Sequence, residues 1–581
     1  MSDNLQKIRS LLTNRQIKAL LILVILLSLG MIMEVLSLGL IIPLVSSITE
    51  PDYFINNFFY KKFNSLIYEI SPSNFFKLFL VATFFIYLIK TVFFIVVSYV
   101  QFKFIANLKA YLQTKFYNNF LNQQYDFYIE KNSNSLIKNI QIEIPILIRY
   151  VLSLVTFFVE SGLIISVILT LIFIAPIPAF SVGVFLFLAS MIFFRFSKNK
   201  LKKWGIEREK LDQDLTKVLF EGIGGIKEYK VLKRESYFIN LYSRFSYEIS
   251  KRHASHNLFS SLPRFYLEII TILGIVGFIF ILLIQEINAS EMFAVLGTFV
   301  AASFRLIPSV NKVISSLQNM KYQSIPISKL VEEYSILEKG LISHESRTMI
   351  SFKKTISLEH LYFKYKGATT YLFEDLNLKI NKGEMIGFVG ESGSGKSTLI
   401  DLILGLLKPE KGKILIDEKT YLNKEQSKGL ENVGYVPQQI YLLDDSIKNN
   451  ITLGIPNENV NKGQLNKAID AAQLNEFIKQ LPKGLNTVVG ERGVQISGGQ
   501  MQRIGIARAL YNNPEILILD EATSALDNKT EIEFIKSIEI LKSKKTIIMI
   551  AHRISSLVNC DRVYNLQSGK LNEISAKSLM K

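Results

Sequence analysis

The sequence predicts two fused domains, an all-α membrane domain of six spanning helices followed by an α/β domain built around a phosphate-binding loop. Three observations carry that prediction. Six apolar runs long enough to cross a bilayer lie within residues 1–312. After Ile350 the pattern changes to short apolar strands bounded by turn residues. One of those strands runs directly into a glycine-rich loop ending Gly-Lys-Ser, at Gly395 to Ser397.

Composition narrows the class first. Of 581 residues, 49% are hydrophobic, 12% aromatic and only 20% charged, which excludes a disordered or low-complexity chain. The one cysteine, Cys560, excludes a disulfide framework and any Cys-based zinc or iron–sulfur site within the chain. Five histidines show no metal-ligand spacing. The formal net charge is +17, and its distribution decides what it means. Residues 1–350 hold 36 Lys+Arg against 24 Asp+Glu, whereas 351–581 hold 31 against 26. Most of the excess therefore alternates with apolar runs instead of forming a soluble basic face, which argues against nucleic acid as a partner.

The spans read as 17–48, 75–102, 150–174, 178–196, 266–284 and 290–312, each near the roughly 20 residues a bilayer needs. The run from Ala19 to Met33 has no polar face, so it does not fit a buried soluble helix, and its length does not fit a cleaved signal peptide. The connection 198–252 carries fourteen basic and eight acidic residues, and 103–138 is also lysine-rich, while 49–74 has two basic and three acidic. By the positive-inside rule the N-terminus and both basic connections are cytosolic. Helical periodicity continues through those connections, so the spans are expected to extend as stalks beyond the membrane. The outward stretch 49–70, with Phe54, Phe58, Phe59 and Phe63, reads either as an amphipathic interfacial helix or as an ordinary packed loop helix. Apolar density falls from about Val313, so the membrane domain is placed at 1–335, a linker at 336–350 and the α/β domain at 351–581, with a largely parallel sheet.

Gly390, Glu391, Ser392, Gly393, Ser394, Gly395, Lys396, Ser397 and Thr398 fit G-x-x-x-x-G-K-S/T, after the apolar strand Met385 to Val389 and before a helix. In that context the loop N–H groups and helix N-terminus receive phosphate oxygens, Lys396 neutralises the β/γ-phosphates, and Ser397 can ligate Mg²⁺. A second strand, Ile516 to Leu519, ends in Asp520 and Glu521. There Asp520 would hold Mg²⁺ and Glu521 would orient the attacking water and accept its proton.

With these motifs, Ser497, Gly498, Gly499 and Gln500, followed by Met501, Gln502 and Arg503, resemble the signature of ATP-binding cassettes. The chain as a whole resembles an ABC exporter half-transporter: an all-α six-helix transmembrane domain of the ABC exporter type, followed by an α/β P-loop ATP-binding cassette. The resemblance implies ATP and Mg²⁺ as cofactors, ATP hydrolysis coupled to transport, and a homodimer in which the signature closes over ATP bound to the partner subunit. It implies adenine stacking on Tyr365, Mg²⁺ contact by Gln438, a loop at Ser524–Asp527 linking the two ATP sites, a γ-phosphate contact from His552, and an exporter-specific loop at Glu491. It also implies short coupling helices near 122–130 and 220–229, the second set off by Gly222, Gly224 and Gly225.

Lys90, Arg264 and Arg305 lie within or at the ends of spans, where ionisable groups are functional hypotheses by default. Either they meet an anionic cargo, or they pair with Glu34, Glu160 or Glu268 or snorkel to the interface. Glu34 with Pro43, the stretch Leu262 to Glu268, and Phe304 to Asn311 resemble bacterial flippases of lipid-linked oligosaccharides used in protein N-glycosylation. That family implies a cationic belt for a lipid pyrophosphate in the bacterial inner (plasma) membrane, with Lys90 standing where arginine is expected. Export of another cargo, such as a peptide, lipid or hydrophobic small molecule, remains the alternative.

Overall fold

The computed structural model describes residues 2–40, 71–131, 133–174, 176–284, 289–340, 349–423, 429–430, 432–490, 493–523, 528–542, 544–551 and 554–575. The outward stretch 49–70 lies outside these. The chain divides into two compact units, Met1–Gln123 with Glu130–Leu341, and Gln124–Ile129 with Ile342–Lys581.

The first unit is helical. After α1 (Ser2–Leu11) come α2 (Asn14–Gly39) and α3 (Pro72–Leu121); the short α4 (Tyr125–Glu130) belongs to the other unit. Ser133–Lys138 leads through a π-helical turn, Asn139–Glu143, into α5 (Ile144–Ile174). Then follow α6 (Pro176–Gly224), α7 (Ile226–Leu232), α8 (Glu235–Ile284) and α9 (Ala289–Lys339). At 50 residues, α3 is roughly 75 Å long at 1.5 Å per residue, more than twice a hydrocarbon core of about 30 Å. The stalks anticipated from the basic connections are these extensions.

Among the described residues, three helices are long and apolar enough to cross a membrane, Asn14–Ser37, Ser73–Leu121 and Ser135–Ile172. Their outer faces leave large apolar side chains uncovered, such as Ile25, Ile32, Phe84, Ile95 and Ile165. In water such a surface would be unfavourable, and against lipid it is not. Inside, Leu163, Val167, Leu171 and Leu306 pack together with Met31, and Leu267, Ile270, Val310 and Ile314 with Phe193 and Tyr266.

Beyond the apolar runs the helix faces change character. Ion pairs join Lys138 to Glu143 (2.9 Å), Arg252 to Glu207 (2.9 Å) and Lys329 to Glu209 (2.7 Å). Tyr322 stacks on the buried ring of His256 at 4.1 Å between centroids, with the Arg208 guanidinium 4.9 Å from its own ring. Burial holds the His256 imidazole below the usual histidine range.

Two sequence expectations meet the structure here. The stalk helix breaks at the predicted glycines: α6 ends at Gly224 and Gly225 caps α7 at φ −102°. By contrast, the start of the predicted linker 336–350 is not irregular, because α9 continues to Lys339. Buried Met320, Ile327, Leu330, Tyr334 and Leu337 mark one helix face at spacings of three, four and seven, so the falling apolar density reflects a second, polar face. The remainder of the expected linker, 341–348, lies outside the described residues.

The second unit is α/β. Its strands are β1 (Met349–Ile350), β2 (Thr355–Phe363), β3 (Phe373–Asn381), β4 (Met385–Val389), β5 (Lys411–Ile416), β6 (Lys419–Leu422), β7 (Gly429–Leu430), β8 (Val433–Val436), β9 (Ile516–Asp520), β10 (Thr546–Ile550), β11 (Arg562–Gln567) and β12 (Lys570–Ile574). A six-stranded sheet in the order β12-β11-β4-β10-β9-β8 is parallel except at β12. The expectation of one largely parallel sheet needs correcting, since β2 and β5 sit in a separate four-stranded antiparallel sheet, β3-β2-β5-β6. The physical difference is visible in burial: β9 and β10 are buried at every position, while β3 alternates buried and exposed.

In the first unit, α6 crosses α9 closely enough at Gly205 that a Cβ there would overlap the Tyr322 carbonyl oxygen, a backbone atom that cannot rotate aside. Gly205→Ala is expected to destabilise the helical unit by about 1–3 kcal/mol. Thermal unfolding of the full chain in detergent would show this as a Tm lowered by several degrees, and an unchanged Tm would contradict the close crossing.

Candidate functional site

The glycine loop after β4, Asp520 and Glu521 at the end of β9, and Gln438 after β8 come together at the carboxyl end of the parallel strands. The loop from Gly390 to Gly395 leaves β4, buried from Met385 to Phe388, and enters α10 (Lys396–Ile403). Its shape needs glycine. Gly390, Gly393 and Gly395 have φ of 150°, 82° and 103°, and a Cβ on Gly390 would strike the Leu566 carbonyl. Lys396 is buried, and its Nζ donates to the carbonyl oxygens of Gly390 and Glu391, each at 2.9 Å. Burial pushes its ammonium below the usual lysine range, while the charges of Glu521 and Asp520 pull the other way. The Ser394 hydroxyl, buried close to Gly390, has no hydrogen-bond partner.

These features fit a phosphate chain. A cation held by carbonyls, an unpartnered hydroxyl and a run of glycine-rich backbone at a helix N-terminus form a donor-rich cradle suited to an anion.

Asp520 ends β9 and is buried. Burial first, then the neighbouring Glu521 charge, raises its carboxyl, and hydrogen bonds from Ser397 and Tyr435 together with Lys396 oppose that. Ser397, Gln438 and Asp520 supply the oxygen donors that suit Mg²⁺, a hard cation. Glu521 follows at φ 51°, a left-handed conformation unusual for a non-glycine residue, fixed by its N–H donating to Ile550 O at 3.0 Å. Its Oε2 accepts from Gln438 Nε2 at 2.7 Å. Tyr365 meets the Thr398 hydroxyl at 2.8 Å and leaves its ring 39% exposed, available at the mouth of the loop.

The signature residues behave as a cap. Ser497 precedes α11 (Gly498–Tyr511), its hydroxyl accepts from Gln500 N at 3.3 Å, and Gln500 Oε1 accepts from Ser497 N at 2.9 Å. This capping box stabilises the helix start by about 1 kcal/mol and leaves the N–H groups of Gly498 and Gly499 pointing outward along the helix axis. Asp527, His552 and Glu491 lie outside the described residues.

Sequence reasoning missed Asp401 and Tyr435. Asp401 follows Ser397 by four residues, which puts both on one face of α10, and helical spacing alone was the available signal. Tyr435 lies on β8 beside Ile518 of β9, a pairing visible only in the sheet. Within this unit, α4 brings Tyr125 into the electrostatic range of Asp401 and Tyr365.

The membrane-depth cations separate. Lys90 is ion-paired with Glu34 at 3.2 Å, so the pairing alternative holds for it. Arg264 is exposed on α8, and the Arg305 side chain lies outside the described set.

Comparison with known proteins matches residues 373–524 to the family model described as ABC transporter. The ATP-dependent lipid A-core flippase of Desulfotalea psychrophila is 33% identical over 395 residues, covering 66% of this chain and 67% of that protein. The protein of the same name from Nitrosococcus oceani is 32% identical over 363 residues, 62% of this chain and 60% of that one. The alpha-hemolysin translocation ATP-binding protein of Escherichia coli is 42% identical over 233 residues, 40% of this chain and 32% of its own length. The chain thus spans between about a third and three fifths of the length of several of these curated relatives. A solved bacterial Atm1-family ABC exporter with ATP bound has the same fold, with a TM-score of 0.79 at 19% identity over 97% of this chain and 96% of that one.

Burial and the charge of Asp520 push the Asp401 carboxyl up to about 6 from 3.8. An acid raised on folding penalises the fold once pH exceeds its folded value, and the penalty disappears below its unfolded value. Asp401→Asn should therefore stabilise the chain at pH 8 by about 1–2 kcal/mol after solvent screening, with the gain shrinking toward pH 4. Equal Tm values for the two proteins at pH 8 would refute this.

Proposed function

The chain belongs to the ABC transporter family, and on that premise we propose that it is an ATP-driven translocase, working as a homodimer, that flips an anionic lipid-linked oligosaccharide across the bacterial inner membrane. The observation that carries the ATP chemistry is the convergence of Lys396, Asp520, Glu521 and Gln438 at one strand end, tied by the 2.7 Å Gln438–Glu521 hydrogen bond.

That geometry and the cassette motifs together support the following roles. Lys396 leaves the Gly390 and Glu391 carbonyls for the β/γ-phosphates, and the Ser394 hydroxyl and loop N–H groups donate to their oxygens. Tyr365 stacks on adenine. Ser397, Gln438 and Asp520 would hold Mg²⁺, which would supply charge neutralisation to the phosphates. Glu521 accepts the proton of the attacking water, and Gln438 must yield its hold on Oε2 for that water to be bound. By resemblance to the cassette motifs, Ser497 to Gln500 would close on the nucleotide of the partner subunit, the loop ending at Asp527 would link the two ATP sites, and His552 would contact the γ-phosphate. The helices α4 and α7 act as coupling helices that pass cassette closure to the stalks, with the cassette and N-terminus in the cytoplasm.

For the cargo, support comes from relatives named as lipid A-core flippases and from cations at membrane depth. Because Glu34 neutralises Lys90, this part rests on Arg264 and Arg305. The same neutralisation favours the second reading, a peptide, lipid or hydrophobic cargo carried by the same machinery.

Glu521→Gln should reduce ATP turnover by at least about 100-fold and trap a nucleotide-bound dimer on size exclusion. Wild-type turnover in this variant would remove Glu521 as the base. In proteoliposomes, lipid-linked oligosaccharide should stimulate ATP hydrolysis, and Arg264→Ala should raise the half-stimulating concentration about tenfold with basal turnover intact. Absence of stimulation would leave the ATP-driven exporter and discard this cargo.

A further inference from the structure

Two helices at membrane depth share a polar cluster whose every member is partnered. Lys90 Nζ lies 3.2 Å from Glu34 Oε2 and donates to Ser37 Oγ at 2.8 Å. Ser37 Oγ in turn donates to Glu34 O at 2.8 Å. Tyr87 OH donates to Ser37 O at 3.0 Å, and its ring centroid is 4.7 Å from the ammonium. An ammonium has three hydrogens and no acceptor. Here a carboxylate, a hydroxyl and an aromatic face occupy its surroundings, with side-chain exposures of 14% for Lys90 and 8% for Glu34.

Spacing makes the cluster a feature of the helix pair. Glu34 and Ser37 are three apart on α2, and Tyr87 and Lys90 are three apart on α3, so each helix presents one face to the other. One turn away the helices touch again, where a Cβ on Gly30 would come within 3.0 Å of the Phe94 ring. Small residue and polar pair together describe a close antiparallel contact of the kind that joins helices in lipid, where apolar burial supplies little attraction between them.

Charge then decides what Lys90 does. With Glu34 bound, the pair is neutral, and a phosphate brought to Lys90 would sit against a carboxylate of its own sign. We propose that Glu34 and Lys90, with Ser37 and Tyr87, form an interhelical clasp that locks α2 to α3 as one moving body and withdraws Lys90 from any cargo belt. Either charge alone would be stranded in hydrocarbon, so each residue depends on the other.

The test uses the full chain in vesicles of bacterial polar lipid without added cargo, so it does not depend on what is transported. Glu34→Gln and Lys90→Met singly should each lower Tm by roughly 5 °C and reduce kcat for ATP about threefold or more, with KM for ATP unchanged. The neutral double variant, Glu34→Gln with Lys90→Met, should lose less Tm than either single, because no lone charge remains. The exchange Glu34→Lys with Lys90→Glu should return kcat to within about twofold of the parent. Singles that match the parent, or a double variant whose loss equals the sum of the singles, would overturn the clasp. So would Glu34→Gln leaving Tm and basal kcat unchanged while tightening the response to added polyprenyl diphosphate, which would make Lys90 a cargo cation.

Discussion

The ammonium of Lys396, buried and held only by the carbonyl oxygens of Gly390 and Glu391, sets the terms for the cassette. A buried cation without an anion is unfavourable unless its surroundings are rigidly polar. The glycines that let the backbone turn carbonyls and N–H groups inward are therefore a condition of the site. So is β4, whose burial anchors the loop at one end, and α10, whose N-terminus faces it at the other. Asp520 and Glu521 lie within electrostatic range of that ammonium without forming an ion pair with it in the structure, which leaves the cation ready for a more highly charged partner.

The membrane half meets the same problem and solves it differently. There a charge has neither water nor a rigid polar cradle, and ion pairs at or near that depth join Lys90 to Glu34 and Lys312 to Glu160. Where the helices leave the apolar zone the pairs multiply, among them Glu209 with Lys329 and Glu207 with Arg252. A helix of 50 residues thus carries two surfaces in succession, one made for lipid and one for water.

Much of the fold was legible because period and length are local properties. Uninterrupted apolar runs, strands buried at every position and a glycine loop between strand and helix each need only neighbouring residues to be recognised. The segment after Val313 was harder to read, since a two-faced helix and a polar linker share one composition and differ only in which residues find a partner face. The antiparallel assignment of β2 and β5 was likewise undetermined until strand order was known, although the alternation in β3 hinted at it.

At the site, the sequence by itself determined which residues are candidates for ATP chemistry, because the cassette motifs are contiguous and each expected role follows from the residue types within a few positions. Tertiary structure alone decided which groups surround them: Gln438 on Glu521, Tyr435 and Ser397 on Asp520, and the Ser394 hydroxyl left open. It also decided between the two readings of Lys90, since a cation 53 residues from Ser37 along the chain becomes neutral or free only according to what the facing helix presents. Covalent neighbours specify chemistry, but the electrostatic state of a group depends on neighbours through space, and those exist only once the helices have packed.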